Sequence, residues 1–345
     1  FNPTTKVATE LSSNVCAPHT IGMTKKQADK QIGIDNADKR SLEECKSIFV
    51  ENEALKAVLP NEVSKKCKQN PTFLIDRFTE KFNADGTFEK YKGRYVISEF
   101  RRNSDLTDIE KSTPTPAPQS VLLNAAIAKA EGRKVRAWDV KAAFLKAKVK
   151  RKLYVRVSAS IVRILLLMDK ETYEPFVLPD GTMWALVLKA VYGAGDAAKL
   201  WYELVKDALL KHAFVMNPYD RAAFNRIYKG SQLSVLVHID DFFGSSKLDS
   251  ALDFLYAILI DAFDSIKQET GNVLNYLGMA FNFQPTEYVA VSAPNFIDGT
   301  LAIHNVTEFA DYPHGPDMRI IEELPRLESS QAESFYSLAY KLLYL

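Results

Sequence analysis

The chain has 345 residues, 47% of them hydrophobic, and its 44 Lys and Arg residues nearly balance 43 Asp and Glu residues. This length and apolar content allow two or three subdomains around a sizeable core, which excludes an intrinsically disordered chain. Because the net charge is close to zero, no global positive field attracts nucleic acid, and such a partner would require a local basic surface.

Cysteine spacing and hydropathy bear on the compartment. Cys16, Cys45 and Cys67 are odd in number and widely spaced, which argues against a zinc site or a disulfide framework and favours a reducing intracellular compartment. The most apolar run, residues 161–168, contains an arginine and is too short to cross a bilayer, so we predict no membrane segment. The chain begins at Phe1 rather than Met, and we expect it to be part of a longer polypeptide.

The N-terminal third predicts a helix and a hairpin. Residues 1–36 are polar and weakly periodic, and we expect little order there. Apolar residues then recur at helical spacing and predict an amphipathic helix over residues 39–55. Further along, Asp85-Gly86 separates two strand-like runs and predicts a hairpin.

The second strand of that hairpin carries three cations. Lys90, Lys92 and Arg94 alternate with other residues, so their side chains share one face of the strand. Such a row is either a solvated strand face or a surface that binds a triphosphate or a nucleic-acid backbone.

The middle of the chain alternates predicted helices and strands. Residues 120–130 predict a helix, and residues 134–140 predict a strand with Asp139 near its end. A dense basic cluster over residues 146–152 follows, with a solvated loop as its simplest interpretation, and Asp196 is a candidate N-cap for the next long helix. Paired strands, another helix and a closing strand complete a two-layer α+β sheet with helices on one face.

Two adjacent carboxylates, Asp240 and Asp241, stand at the tip of a predicted hairpin. The residues before them alternate as one face of a half-buried strand, so both charges project from a rigid element between hydrophobic neighbours. Mg²⁺ is the simplest group to neutralise them, because it favours one or two carboxylates together with substrate phosphates. Local spacing also allows an ordinary Asp-Asp turn that faces water.

Seven short motifs follow one another along the chain: Tyr91-Lys-Gly-Arg94-Tyr-Val, Arg136-Ala-Trp-Asp139-Val-Lys-Ala-Ala-Phe144-Leu, Leu188-Lys-Ala-Val-Tyr-Gly193, Ala198-Lys-Leu-Trp-Tyr202, Asn217-Pro-Tyr-Asp220, Val237-His-Ile-Asp-Asp241 and Tyr276-Leu-Gly278. In sequence and in order they resemble the reverse transcriptase of copia-type LTR retrotransposons. The Asp-Asp motif alone would also fit other palm-type polymerases or nucleotide cyclases, whereas the ordered set is specific.

The resemblance implies an α+β, right-hand (fingers-palm-thumb) polymerase with a ferredoxin-like palm. The parts expected in chain order are a poorly ordered segment at residues 1–36, fingers at 37–118, palm at 119–145, fingers again at 146–195, palm again at 196–284 with the catalytic and primer-contacting hairpins, and the start of a thumb or connection at 285–345, truncated before ribonuclease H.

The resemblance also implies RNA-directed DNA polymerisation, in which a primer 3′-hydroxyl attacks the α-phosphate of a deoxynucleoside triphosphate. Asp139, Asp240 and Asp241 would be the catalytic carboxylates and would bind two Mg²⁺ ions, with Mn²⁺ as an alternative. Asp139 and Asp240 would bridge both ions. Asp241, the neighbour of Asp240 on the strand, would act less directly.

Four further residues would bind the nucleotide by the same resemblance. Phe144 would abut the sugar and exclude a 2′-hydroxyl by its bulk. Lys92 and Arg94 would touch the triphosphate, with Arg94 favoured for its bidentate fork, and Gly193 would lie nearby.

The remaining contacts concern the primer and other partners. Leu277 and Gly278 would form the hairpin that steadies the primer terminus, where Gly permits close backbone approach. The implied partners are an RNA or DNA template with its primer, deoxynucleoside triphosphates and other parts of the polyprotein, without a membrane. The implied location is cytoplasmic, with virus-like particles as a variant of it.

Two departures from the commoner family pattern bear on activity. His238 stands where Tyr is usual, and we interpret it as a strand residue rather than a metal ligand. Residues 194–198 replace Leu-Lys-Gln-Ala-Pro and introduce Asp196, which could repel phosphate. Two alternatives therefore stay open: a degenerate copy that binds primer-template without catalysis, and an unrelated α+β nucleotide-handling enzyme such as a cyclase.

Overall fold

The computed structural model describes residues 22–82, 88–101, 106–107 and 112–303, with residues 328, 332 and 335–339. The helices are α1 (Lys25–Ile32), α2 (Ile34–Cys45), α3 (Lys65–Gln69), α4 (Pro118–Ala130), α5 (Ala159–Met168), α6 (Lys170–Tyr173), α7 (Ala197–Lys211), α8 (Asp249–Phe263) and α9 (Pro294–Ile303). The strands are β1 (Leu55–Val58), β2 (Thr72–Phe82), β3 (Phe88–Ile97), β4 (Lys134–Val140), β5 (Lys148–Val157), β6 (Met183–Lys189), β7 (Val215–Met216), β8 (Ala223–Tyr228), β9 (Ser231–His238), β10 (Asp241–Ser246), β11 (Ile266–Thr270), β12 (Val273–Tyr276), β13 (Met279–Asn282) and β14 (Ala290–Ser292).

A six-stranded antiparallel sheet in the order β11-β4-β10-β9-β8-β7 holds the Asp-Asp hairpin. Along the chain its central elements run β4, α7, β9, β10, α8 and β11, with β7 and β8 inserted before β9. This succession and the spatial order β11-β4-β10-β9 are those of the split β-α-β arrangement of ferredoxin-like folds. The predicted α+β class and ferredoxin-like palm are therefore confirmed.

Both faces of this palm sheet are covered. Helices α7 and α8 pack on the face that carries Trp138 and Phe242. Helix α4 and the small β12-β13-β14 sheet cover the opposite face, where Phe243 contacts Tyr276. The prediction of helices on a single face is therefore incomplete, because successive residues of β10 are apolar and bury both sides of the strand.

A second sheet, in the order β1-β6-β5-β2-β3, lies beside the palm sheet. Its long antiparallel β2-β3 pair confirms the predicted hairpin, whose Asp85-Gly86 turn lies outside the described residues. Leu74 and Ile97 of this sheet belong to the same core cluster as Trp138 of the palm. The two sheets therefore share one hydrophobic core.

The expected lack of order over residues 1–36 is corrected in its second half. Helix α1 begins at Lys25, while residues 1–21 lie outside the described part of the chain. Ala28 and Ala37 bury against Phe78 of β2, and the Lys25 ammonium pairs with Asp38 at 2.8 Å. Contacts with a distant strand thus stabilise a segment whose own periodicity is weak.

The basic cluster after Lys146 forms a strand instead of the expected loop. Lys148, Lys150 and Lys152 alternate along β5 and are exposed. Their side chains are therefore solvated as predicted, but they lie on a strand and not in a loop. None of the helices in the described residues has the length and apolar character that a bilayer crossing requires. The predicted thumb segment beyond Ile303 falls almost entirely outside those residues.

Candidate active site

Strands β4 and β10 bring the predicted carboxylates together. They pair antiparallel with Asp139 directly opposite Asp241, so these two side chains share one face of the palm sheet. Asp240 occupies the turn before β10, and its carbonyl accepts a hydrogen bond from the Val140 N–H at 2.9 Å. Residues far apart in sequence therefore meet at one end of adjacent strands.

The Asp-Asp hairpin is a tight and strained turn. His238 pairs with Asp241, which leaves Ile239 and Asp240 as the two turn residues. Ile239 has a φ of +51°, a conformation that a β-branched residue rarely adopts. On the helix side, the indole Nε1–H of Trp201 in α7 donates to the Ile239 carbonyl at 2.6 Å.

The carboxylates fit a divalent cation that takes further ligands from its substrate. The described residues contain no group of three or more His, Cys, Asp or Glu side chains placed to hold a metal ion by themselves. Mg²⁺, however, is usually bound by one or two carboxylates together with substrate phosphates and water. The cross-strand pair of Asp139 and Asp241, with Asp240 beside it, offers hard oxygen donors of that kind.

A cleft of about 530 Å³ is lined by Tyr192, Lys141 and residues of β3, and none of the three carboxylates lines it. Asp139 and Asp241 line a separate, smaller cavity together with Tyr276. Lys90, Lys92 and Arg94 of β3 all line the larger cleft, and the regular register of β3 with β2 places these three cations at alternate positions on one face of the strand. Lys141 and Ala142, which follow β4, line it as well. The cleft therefore combines a cationic wall with the strand end that bears Asp139.

Tyr192 connects the cationic residues of the cleft to the carboxylates. It is not among the site residues predicted from the sequence. The Arg94 guanidinium lies 4.2 Å from the centre of its ring, and Phe144 meets the ring edge-on at 4.9 Å. Burial raises the pKa of Tyr192 to about 12, with Arg94 opposing the shift and Asp240 and Asp139 adding to it. In the sequence, only its position before Gly193 in the motif Leu188-Lys-Ala-Val-Tyr-Gly193 could have indicated this role.

Phe144 and Gly193 support the cleft from behind its lining. Phe144 is 9% exposed, and the neighbouring lining comes from Ala142 and Leu145. Gly193 has a φ of +85°, and a Cβ atom there would lie 2.1 Å from the Ile97 carbonyl oxygen. Only glycine fits this close approach, and the nucleotide contacts of both residues stay predictions.

Glu44 faces the cations from α2 and was also missed. It lines the cleft, and burial raises the pKa of its carboxyl, while the Tyr95 backbone N–H, Arg94 and Lys92 act in the opposite direction. The cleft therefore contains a buried carboxyl group among its cations.

Asp196 forms an ion pair with an arginine that also binds a second carboxylate. Arg151 donates to Asp196 at 3.0 and 3.1 Å and to Glu99 at 2.8 and 2.7 Å. The Gly195 N–H donates to Glu99 at 2.9 Å. Asp196 is the N-cap residue of α7, but its side chain makes no capping hydrogen bond. Because Arg151 is shared by Asp196 and Glu99, the effect of Asp196 on a phosphate stays a prediction.

The predicted primer-contacting residues form a two-residue turn between β12 and β13. Leu277 and Gly278 have φ values of +53° and +75°, and Tyr276 pairs with Met279 across the turn. Tyr276 is buried, and its hydroxyl has no hydrogen-bond partner among the described residues. Because Phe243 packs on Tyr276, the hairpin lies over the sheet face that carries the Asp139–Asp241 pair. The primer contact itself stays a prediction.

His238 is a half-buried strand residue, in line with its sequence interpretation. It ends β9 opposite Asp241, and burial lowers the pKa of its imidazole. Burial therefore favours the neutral form of the ring.

Comparisons with known proteins give the family. The reverse transcriptase (RNA-dependent DNA polymerase) family profile matches residues 63–313. Two retrovirus-related Pol polyproteins of Arabidopsis thaliana, from transposons RE2 and RE1, are 28% and 26% identical over 164 residues, which is 48% of this chain and 10% of each polyprotein. A solved apo telomerase from Candida tropicalis, truncated from its C-terminal domain, has a TM-score of 0.35 and 10% identity over 74% of this chain and 60% of its own. The family profile spans most of the chain, and the protein therefore belongs to the reverse transcriptase (RNA-dependent DNA polymerase) family.

Proposed function

We propose that this chain is the reverse transcriptase of a copia-type retrotransposon and extends a primer on an RNA template. The observation that carries the proposal is the Asp139–Asp241 pair with Asp240 in the adjoining turn. A cleft lined by Lys92 and Arg94 supports it, because Tyr192 in the lining of that cleft interacts with the charges of Asp240 and Asp139. Membership of the reverse transcriptase family supports polymerase chemistry over a cyclase. The matched polyproteins support a retrotransposon origin.

The chain's own residues would act in three places. Lys92 and Arg94 would neutralise the triphosphate, with Arg94 held over the Tyr192 ring so that its fork presents two parallel donors. The hairpin at Leu277 and Gly278 would hold the primer terminus over the palm sheet.

The third place is the carboxylate set. Asp139, Asp240 and Asp241 would hold two divalent ions, which when bound stabilise the attacking and leaving oxygens of an in-line displacement. Because adjacent strands hold these carboxylates in place, the carboxylates would need little rearrangement during the reaction.

Primer extension tests this function directly. Incorporation of deoxynucleotide on an oligo(dT)-primed poly(rA) template is measured with Mg²⁺ or Mn²⁺ for the native chain and for Asp240→Asn. We expect metal-dependent extension that falls about a hundredfold or more in the variant, because a charge aimed at the reacting centre is lost.

The matched control is Asp261→Asn, an exposed acid on α8 outside the site, which should extend the primer like the native chain. A native chain that binds primer-template without extending it would contradict the proposal and favour the non-catalytic copy. Extension without template would contradict it as well.

A further inference from the structure

We propose that Trp201 is a positioning residue, which holds the Asp240 turn in its strained conformation through its indole N–H. The inference rests on the proposed polymerase function for its catalytic consequence. It starts from Ile239, whose positive φ is rarely populated by β-branched residues and therefore needs support from the surrounding structure.

The hydrogen bond from Trp201 supplies that support at the peptide next to Asp240. The Ile239 carbonyl, which accepts the indole N–H at 2.6 Å, belongs to the same peptide unit as the Asp240 nitrogen. On the other side, the carbonyl of Asp240 accepts from Val140 at 2.9 Å. Both peptide units that flank Asp240 are thus held, one from α7 and one from the strand that carries Asp139.

The indole itself cannot turn away. Trp201 is 1% exposed, and its ring packs on Phe263 of α8 with centroids 4.8 Å apart. The direction of the N–H is therefore fixed by the helix packing on the sheet. A Phe ring at this position would fill much of the same space but could not donate.

The activity test compares Trp201→Phe with Trp184→Phe, a buried Trp in the other sheet. We expect Trp201→Phe to lower kcat by roughly tenfold to a hundredfold with little change in the KM for deoxynucleotide, since a small displacement of a catalytic group has that effect. The Trp184→Phe control should keep the native kcat. Equal kcat for the native chain and Trp201→Phe would overturn the inference and leave the proposed function standing.

A double-mutant cycle separates positioning from packing. Ile239→Gly makes the positive φ unstrained, so the further loss caused by Trp201→Phe should shrink to about twofold in that background. A merely structural role would give the same fold loss in both backgrounds, and that result would overturn the inference.

Two readouts do not need an active enzyme. Hydrogen exchange over residues 236–244 should speed up in Trp201→Phe and not in Trp184→Phe, and unchanged exchange would overturn the inference even if the native chain extends no primer. If Trp201→Phe does not fold, the NMR signals of the three indole N–H groups in the chain test the inference instead. Ile239→Gly should shift the Trp201 signal and leave those of Trp138 and Trp184 in place, whereas an unshifted Trp201 signal would overturn the inference.

Discussion

Phe144 and Tyr192 pack against each other at the cleft, and of the two only Tyr192 lines it. Tyr192 lines the cleft, and the Arg94 guanidinium lies over its ring. Phe144 lies behind this lining and makes an edge-to-face contact with Tyr192. Removing the Phe144 ring would let Tyr192 settle back and widen the space available to a sugar.

Phe144→Ala should therefore raise ribonucleotide incorporation relative to deoxynucleotide, by about tenfold, because exclusion by bulk is lost. The measurement is the ratio of kcat/KM for UTP and dTTP on a poly(rA) template. Phe49→Ala truncates a ring of similar burial that packs on Tyr173 and should leave the ratio unchanged. An unchanged ratio in Phe144→Ala would remove the residue from this role.

Arg94 and Lys92 line the same cleft but differ in what they can offer a triphosphate. Arg94→Ala should raise the KM for dTTP by about tenfold, and more than Lys92→Ala does, because a bidentate charged contact is lost. Arg94→Lys keeps the charge without the fork and should fall in between. Steady-state kinetics decide, and a larger KM increase in Lys92→Ala than in Arg94→Ala would reverse the assignment.

At the level of elements, Arg151 connects three segments of the chain. From β5 it binds Glu99 at the end of the β2-β3 hairpin and Asp196 at the start of α7. Both carboxylates are buried, and the Arg151 side chain is partly exposed.

Arg151→Met should lower the free energy of unfolding by about 2 kcal/mol, because it leaves two buried carboxylates without their cation, and partial exposure moderates the loss. Urea denaturation measures it. Arg156→Met removes a cation that pairs with the exposed Asp180 and should cost less than about 1 kcal/mol. Equal losses in the two variants would show that the Arg151 network stabilises the fold no more than the exposed Arg156–Asp180 pair does.

At the level of the whole molecule, the two sheets are joined by a single core. Leu74 and Tyr95 of the second sheet belong to one buried cluster with Trp138 and Phe242 of the palm. Neither sheet can expose its inner face without opening that cluster to water, which is costly for so much apolar surface.

We therefore expect one cooperative unfolding transition for the two sheets together. Calorimetry and Trp fluorescence should give the same midpoint of unfolding. The midpoint reported by Trp184 of the second sheet should also equal the midpoint reported by Trp138 and Trp201 of the palm sheet. Two separate transitions would mean that the sheets are independent units.

The sequence alone determined the elements whose residues alternate or recur locally. The bounds of β4 match its predicted range of residues 134–140, and the β2-β3 pair follows the Asp85-Gly86 prediction. The order of the motifs also implied that Asp139 and the Asp240-Asp241 turn belong to one site, and the cross-strand pairing agrees with that expectation.

Only the tertiary structure decided which distant side chains become partners. Helix α1 packs against Phe78, Asp196 pairs with Arg151, and Arg94 stacks on Tyr192. Local periodicity records which face of an element is apolar, but it carries no trace of the residue that packs or pairs against that face. Such pairings join segments that lie far apart in the chain, and only the folded structure brings those segments together.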